Sequence, residues 1–337
     1  MTPQWFNDHP YFINLLPLLT AVANLVICGD WMYLDWELLT PEWRIALYDL
    51  MARPQISCLK LWGIININLV PFAHFGHLNK LFLKQVKIVP DTSLKDGAPF
   101  PLALQPSSAR SKKIQSLRVG ACGEALALLL STKNNGGSFD LSHITDLSLG
   151  AFYFGEEKMA DPWILLLDLC CKNLQKYRII HEVFRMASLD ITPFHPSLLD
   201  LQRFPNLVDF SILLDFGGFA HDDSFPMPQV LAAFDGLSKS SDPIRLTTIK
   251  IEFNFDVPDA TDSLYSFVTE EEFWGNLDEV LARPAFSRLR ELWIDFYFGN
   301  NVLHDEDWPT TSGLITSQMP ESHRKGILKL TTDFVPD

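Results

Sequence analysis

An apolar triplet with the spacing apolar-x-x-apolar-x-apolar recurs nine times along the 337 residues of this chain. The shortest gap between first positions, from Ile56 to Leu78, is 22 residues, and the longest, from Leu246 to Leu289, is 43. Each gap accommodates a strand, a helix and two loops. One such unit cannot bury its apolar face alone, so the units must stack. The sequence therefore predicts a solenoid, whose triplets begin at Val22, Ile56, Leu78, Ile114, Ile144, Leu174, Leu207, Leu246 and Leu289, with a weaker tenth in 327-ILKL-330.

Helix signals lie between the triplets. Thr40 is a suitable N-cap before Pro41, and Asp161-Pro162 repeats that start signal before 163–174. Thr269 with Glu272 forms a capping-box pattern at the start of 269–284. Shorter helical patterns are found at 123–131, 196–204 and 228–237. Strand and helix thus alternate along the chain.

This alternation of LxxLxL strands and helices resembles leucine-rich repeats over residues 11–330. The resemblance implies an α/β solenoid shaped as a horseshoe, with a parallel sheet on the concave face and helices on the convex face. The family's Asn or Cys, three residues after the last apolar strand position, is present only at Cys122 and Asn254. We therefore expect an irregular horseshoe.

The predicted domain plan has one solenoid of nine or ten repeats at 11–330. An N-terminal extension, 1–10, precedes it, and a C-terminal tail, 331–337, follows it. A loop insertion is predicted at 90–113, because four prolines, small polar residues and a basic end occur there.

The phrases 204-FPNLVDFSI-212 and 286-FSRLRELWI-294, with the LLPLLTAV opening, are similar to a narrower group. They resemble the repeat portions of F-box proteins of mushroom-forming fungi. That resemblance implies a substrate-recognition component of a ubiquitin ligase, in which an N-terminal F-box module docks on the ligase adaptor. No Leu-Pro-x-Glu helix entrance precedes the first repeat. A stand-alone interaction scaffold with no ubiquitin role therefore stays open as the alternative.

Composition narrows the partner and the compartment. A net charge of −14 disfavours binding to nucleic acid and favours a protein partner, either basic overall or carrying charged patches. The odd number of cysteines, without CxxC spacing, fits reduced thiols in a cytoplasmic or nuclear protein; they are Cys28, Cys58, Cys122, Cys170 and Cys171.

The apolar run 11-YFINLLPLLTAVANLVIC-28 raises the alternative of a secretory signal. No Lys or Arg precedes the run, Asp8 does, and Pro17 interrupts it. A buried helix that continues into the first strand is the favoured interpretation. No membrane association is predicted.

Candidate chemistry is sparse. His74 and His77 form HxxH, and 304-HDED-307 places an imidazole beside three carboxylates, but no third ligand has a diagnostic spacing to either group. Cys170-Cys171 lies in an apolar helical pattern typical of a core, and no GxSxG motif occurs. We predict a protein that is not an enzyme and binds no cofactor or metal. A metal-dependent enzyme that uses the His304–Asp307 cluster is the remaining alternative.

The strand period predicts which side chains face the hollow of the solenoid, because successive side chains point to opposite faces. If Leu59 and Leu61 point into the core, Lys60 and Trp62 point out of it. The same phase gives the predicted binding residues of the concave face: Lys60, Trp62, Lys80, Phe82, Lys84, Arg118, Lys176, Arg178, Asp209, Lys250, Glu252, Glu291, Trp293 and Asp295.

Among these residues, the cations come early in the chain, where Asp146 is the only carboxylate at an equivalent strand position. The carboxylates come late in the chain, where Lys250 is the only cation at such a position. Trp62, Phe82 and Trp293 are the predicted aromatic anchors. The hypothesis is a polarised concave face that orients a partner with complementary patches. The alternative is a set of ordinary solvated strand faces.

Overall fold

The protein consists of two compact units, formed by Met1–Leu147 with Asp161–Cys170 and by Ser148–Ala160 with Cys171–Asp337. A computed structural model describes residues 3–29, 33–68, 77–88, 113–120, 122–131, 141–150, 160–181, 196–215, 227–239, 243–255, 271–298 and 308–334. Each unit contains a parallel sheet with helices between its strands.

The strands of the first unit lie in the sheet in the order β1-β3-β4-β5, followed by β6, with β2 beside β3. Their bounds are β1 Asn24–Cys28, β2 Leu34–Asp35, β3 Cys58–Ile67, β4 Lys80–Ile88, β5 Ser116–Gly120 and β6 Asp146–Gly150, the last divided between the units. The helices are α1 Pro3–Asp8, α2 Pro41–Met51, α3 Gly123–Ser131 and α4 Ala160–Cys170, with 3-10 helices at Pro10–Leu18, Trp36–Leu38 and Leu141–His143.

The second unit has the strand order β7-β8-β9-β10-β11, and each of these neighbouring pairs is parallel. The bounds are β7 Lys176–His181, β8 Asp209–Asp215, β9 Thr248–Phe255, β10 Glu291–Phe298 and β11 Leu328–Phe334. The helices are α5 Met227–Ser238, α6 Glu271–Ala282, α7 Trp308–Gln318 and α8 Pro320–Arg324, with 3-10 helices at Pro196–Leu198, Leu201–Arg203 and Pro284–Phe286.

The apolar triplets align with one another across each sheet. In the first unit Leu59 lies opposite both Leu25 and Leu81. In the second unit Ile249 lies opposite both Phe210 and Leu292. Every residue of the second to ninth triplets is buried. The predicted parallel α/β organisation is thereby confirmed, while the horseshoe curvature stays a prediction.

The weaker tenth triplet also forms a strand. Leu328 and Leu330 of β11 lie opposite Leu292 and Ile294 of β10. The strand β11 continues to Phe334, across the predicted start of the tail at residue 331. At the other end, Phe6 of the predicted extension is buried against Trp43 of α2, with ring centroids 4.9 Å apart. The domain boundaries themselves stay a prediction.

Most of the predicted helices are present, and the predicted cap of α2 is confirmed, whereas α4 begins at Ala160, one residue before its predicted start signal at Asp161. Thr40 Oγ1 accepts a hydrogen bond from the backbone N–H of Trp43 at 3.4 Å, and Pro41 is the first residue of α2. The helices α3 and α5 cover the patterns read at 123–131 and 228–237, whereas α4 covers 163–170 and ends at Cys170, four residues before the predicted end at 174. The helix α6 begins at Glu271. Its predicted cap, Thr269, lies outside the described residues, as does most of the predicted loop insertion at 90–113.

Two predicted helices have a different form. The pattern at 196–204 is two 3-10 helices, and three of its four buried residues, Leu198, Leu201 and Phe204, are spaced three apart, the period of a 3-10 helix; the fourth is Leu199. The segment Pro10–Leu18 is also a 3-10 helix, and none of its residues is buried. The expectation of a buried helix there is therefore wrong: the segment is helical, but all its side chains are exposed or half-buried, and Pro17 removes one backbone donor from it. No helix in the described part of the chain is long and apolar enough to span a membrane.

Cys122 occupies the position at which the repeat family carries Asn or Cys. The backbone N–H of Val86 donates to Cys122 Sγ at 3.1 Å, and the thiol donates to the carbonyl of Gly120 at 2.8 Å. Burial raises the pKa of the Cys122 thiol to about 12. The side chain thus connects the ends of β4 and β5 as a neutral hydrogen-bonding group.

Burial of the triplets predicts a large stability cost at Leu61, which is 1% exposed and lies opposite Ile27 and Leu83. We expect Leu61→Ala to lower the free energy of unfolding by about 2–5 kcal/mol, because it leaves a cavity in the core. Leu165 in the same unit is 48% exposed, and Leu165→Ala should change this free energy by less than about 0.5 kcal/mol. Urea unfolding followed by circular dichroism measures both, and equal losses would contradict the assignment of the core.

The thiols should differ sharply in reactivity. Cys28 is exposed, whereas Cys122 is buried with a raised pKa. Because the thiolate is the reactive form, a disulfide reagent at about pH 8 should modify Cys28 first and leave Cys122 unmodified until the protein unfolds. Mass spectrometry of the modified peptides measures the order, and Cys28→Ser should remove the fastest phase. Early labelling of Cys122 would show that its thiol is accessible.

Candidate functional site

The side chains that alternate with the triplets form the other face of each sheet, which we call the open face. All fourteen residues predicted to line the binding surface lie on strands of the two units. Most are exposed or half-buried there, whereas Glu252 and Asp295 are buried at 3% and 6% exposure. Six of the fourteen belong to the first unit and eight to the second. The two open faces differ in how their charges are paired.

In the first unit, one row of the open face places an aromatic ring between two cations. Lys60 on β3, Phe82 on β4 and Arg118 on β5 lie directly opposite one another in the strand register. Lys60 Nζ and Arg118 Cζ are each 4.9 Å from the centroid of the Phe82 ring. At these distances the ring quadrupole attracts both cations.

The next row repeats this contact with a larger ring. Trp62 lies opposite Lys84, and Lys84 Nζ is 5.3 Å from the centroid of the indole. The indole N–H of Trp62 donates to Gln85 Oε1 at 3.2 Å. Trp62 remains 51% exposed, although two contacts fix its orientation. We call Lys60, Trp62, Lys80, Phe82, Lys84 and Arg118 the basic–aromatic cluster.

The backbone changes conformation directly after this row. Gly63 follows Trp62 with φ 62°, and Gln85 follows Lys84 with φ 53°, so both adopt the left-handed region. A side chain at position 63 would be strained there, which accounts for the glycine. The register of β3 and β4 shifts between Ile64 and Ile67. A register shift of this kind reorients neighbouring side chains at the end of a regular ladder.

The basic–aromatic cluster has few carboxylates near it. Within the described part of the first unit, none forms an ion pair with Lys60, Lys80 or Arg118. Asp146, the one carboxylate predicted to oppose them, accepts a hydrogen bond from Ser116 Oγ at 3.1 Å. Lys60, Lys80 and Arg118 are therefore not neutralised by a carboxylate in the described part of this unit.

The open face of the second unit is centred on Glu252. Its carboxylate forms ion pairs with Arg178 at 2.9 Å and with Lys250 at 3.0 Å. Ser211 Oγ and the Tyr297 hydroxyl each donate to the same carboxylate at 3.1 Å. Four donors on four strands, β7 to β10, thus compensate one buried charge, as its burial requires.

Further ion pairs extend this network. Lys250 also binds Asp295 at 2.7 Å, and Asp295 accepts a hydrogen bond from Thr331 Oγ1. Burial works to lower the pKa of Lys250, but hydrogen bonds and attraction from Asp295 and Glu252 outweigh it and raise the pKa. Lys176 pairs with Asp209 at 3.1 Å. Contacts between side chains therefore connect the five strands β7 to β11 on this face.

The edge strand β11 completes the pairing. Lys329 binds Glu291 at 2.6 Å, and its Nζ is 4.3 Å from the centroid of the Trp293 ring. The indole N–H of Trp293 donates to Glu291 at 3.2 Å. The hydrogen bond from Lys329, reinforced by that from Trp293, lowers the pKa of Glu291. The four predicted carboxylates of this face are therefore each paired with a cation.

This pairing modifies the interpretation of the charges. Lys176 and Arg178, read with the early cations, lie in the second unit and neutralise Asp209 and Glu252. Lys329 was missed, although extending the strand phase into 327-ILKL-330 would have found it. Ser211, Tyr297 and Thr331 were missed as well, because small polar and aromatic strand residues carry no charge signal. The proposed gradient between the two ends of the chain stays a hypothesis.

The candidate catalytic and metal-binding motifs add no assembled site to the described part of the chain, where no three His, Cys, Asp or Glu side chains converge. His74 and the His304–Asp307 cluster lie outside the described residues. His77 Nε2 is 3.3 Å from the carbonyl oxygen of Met51. Cys170 is buried, and its thiol donates to the carbonyl of Leu167 at 3.8 Å, as expected of a core cysteine.

Comparisons with known proteins do not assign the chain to a family. No protein-family model matches the chain, and no curated protein matches it. Among solved structures, the chain is similar to the crystal structure of an internalin (inlF) from Listeria monocytogenes str. 4b F2365, with 11% sequence identity and a TM-score of 0.31. That match covers 96% of this chain and 89% of the internalin. A TM-score this low transfers neither fold nor function.

The network around Glu252 predicts a stability effect. We expect Glu252→Gln to lower the free energy of unfolding by about 1–3 kcal/mol, because the amide offers only one acceptor oxygen to four donors. Glu279 is 74% exposed, and its one pair, with Arg283, spans 3.5 Å, so Glu279→Gln serves as the control, with a change below about 0.5 kcal/mol. Chemical unfolding of both variants provides the measurement. If Glu252→Gln behaves like the control, the network does not stabilise the fold.

Proposed function

We propose that this protein is a non-catalytic recognition protein that binds a protein partner through the open face of its sheet. The observation that carries the proposal is the basic–aromatic cluster, in which the half-exposed Trp62 lies among cations on three neighbouring strands. Trp and Arg are the side chains most enriched where binding energy concentrates in protein interfaces.

Rigidity of the sheet supports the same proposal. The strands beneath the cluster are held by parallel backbone pairing and by the buried triplets on the opposite face. Contacts with cations and with Gln85 orient the Phe82 and Trp62 rings in advance. Binding of a partner therefore orders few further side chains of this protein, and little conformational entropy is lost on this side of the interface.

We further propose that the chain is a single leucine-rich-repeat solenoid over residues 11–330 with a curved sheet. Support comes from the apolar positions of nine strands, β1, β3 to β5 and β7 to β11, which match in register with their neighbours, and from Cys122, which bonds the turn backbone as the family's Asn or Cys does. The binding surface would then be the concave face, as the resemblance implies.

A role as the substrate-recognition component of an F-box-type ubiquitin ligase is the finer form of this proposal. It rests on the resemblance of 204–212 and 286–294 to fungal F-box repeat proteins. The competing form is a stand-alone scaffold. Co-purification of the ligase adaptor with the protein from its native cells distinguishes the two forms, since a scaffold should bring down a partner without the adaptor.

The general proposal is tested by capturing the partner from native cells, identifying it and measuring its affinity for purified variants. We expect Trp62→Ala to raise the Kd roughly tenfold or more, the effect of losing a central aromatic anchor. Tyr11→Ala removes an aromatic side chain that is 59% exposed away from the open face, and should leave the Kd unchanged. Thermal unfolding verifies that both variants are folded.

The opposite pattern, with the affinity lost in Tyr11→Ala and kept in Trp62→Ala, would place the interface elsewhere. An unchanged Kd in both variants and in Trp293→Ala of the second unit would remove the open face from consideration altogether.

A further inference from the structure

We infer that the basic–aromatic cluster binds an acidic, carboxylate-rich segment of the partner protein. This inference rests on the proposed function and specifies its partner chemistry. It starts from the local excess of cations: in the described residues, Lys60, Lys80, Lys84 and Arg118 share this face with two carboxylates at strand positions, Asp35 and Asp146.

Two similar tryptophan–lysine pairs, one in each unit, show how the charges beside the ring differ between the units. Trp62 lies opposite Lys84, and Trp293 lies opposite Lys329, each pair on adjacent parallel strands with the ammonium over the indole. In the second unit, Glu291 stands two residues before the tryptophan and forms an ion pair with the lysine. In the first unit the corresponding residue is Lys60, a cation.

The position two residues before the tryptophan thus supplies a carboxylate beside the ring in the second unit and a further cation, Lys60, in the first. The net charge of the protein is −14, so a positive face of this kind is a local feature, and it attracts anions to that place. The acidic remainder of the molecule repels an acidic partner, so the segment binds only at the cluster and in a defined orientation.

The arrangement of the cations fits a polypeptide segment. Lys60 and Arg118 belong to strands on either side of β4, so their backbones are about 10 Å apart at two strand spacings. Lys80 and Lys84 lie on one strand, about 13 Å apart at its rise per residue. An extended chain with acidic residues at alternate positions presents carboxylates about 7 Å apart on one side, within reach of these flexible side chains.

The aromatic rings favour an acidic peptide over single-stranded nucleic acid. A nucleobase needs a free ring face on which to stack. The Phe82 ring already contacts Lys60 and Arg118, and the Trp62 ring contacts Lys84. The rings therefore hold the cations in position, where the ammonium and guanidinium groups can still donate to carboxylates.

The test uses the full chain and a fluorescein-labelled peptide of about twelve residues with alternating Glu and Ser, long enough to cross the cluster. Fluorescence anisotropy at low ionic strength measures binding to the wild type, to Lys60→Glu with Arg118→Glu, and to a matched control. The control reverses Lys172 and Arg288, both exposed outside the cluster, and changes the net charge equally. A single-stranded oligonucleotide of the same length is titrated in parallel.

We expect saturable binding of the peptide to the wild type and to the control, and at least a tenfold weaker Kd for the cluster variant. Binding should weaken as salt is added. If the double charge reversal impairs folding, Lys60→Gln with Arg118→Gln serves instead, with a smaller loss of affinity in the same direction.

Three results would overturn the inference: no saturable binding to the wild type, equal losses in the cluster and control variants, or tighter binding of the oligonucleotide than of the peptide. Each leaves the proposed function separately testable. The captured partner could still lose affinity in Trp62→Ala, which would keep the open face as the interface and reject only an acidic partner segment.

Discussion

Burial of the apolar triplets between registered parallel strands is the interaction on which the rest of the structure depends. Parallel pairing places Leu59 between Leu25 and Leu81, and Ile249 between Phe210 and Leu292. The apolar side chains of each strand are therefore covered by those of the strands beside it. A slip of one residue would exchange the two faces of a strand. It would carry lysines and carboxylates into the core and expose the triplets. The register is therefore fixed by hydrophobic burial, and the composition of the open face follows from it.

The open faces show two ways of using charged strand residues once the register is fixed. In the second unit, the Glu252 carboxylate contacts Arg178, Lys250, Ser211 and Tyr297 from four strands, and these charges are paired within the molecule. In the first unit, the cations contact the Phe82 and Trp62 rings instead. An ion pair neutralises the charge of a cation, which then binds a partner less well. A contact with an aromatic ring orients a cation without neutralising its charge.

The strands and their inward and outward phase could be predicted from the sequence because a period of two combined with the apolar triplet is a strong local signal. All fourteen predicted surface residues accordingly lie on strands. The pairing of Arg178 with Glu252 could not be predicted, since it joins residues 74 positions apart through a register that no local pattern encodes. The 3-10 form of 196–204 was missed because the spacing of three at Leu198, Leu201 and Phe204 also suits one side of an α-helix. The extent of burial at Glu252 was missed for the reason that charged residues rarely occupy such positions.

The tryptophan–lysine pairs connect architecture to recognition. Parallel register places Lys84 beside Trp62 and Lys329 beside Trp293, so the fold itself generates the two contacts. The residue two positions before each tryptophan then differs in charge: Glu291 forms an ion pair with Lys329, whereas Lys60 adds a second cation to its face. A single side chain on the same scaffold thus changes the charge of that part of the sheet. Such a change of charge is compatible with the fold, because the triplets are buried on the opposite face of the same strands.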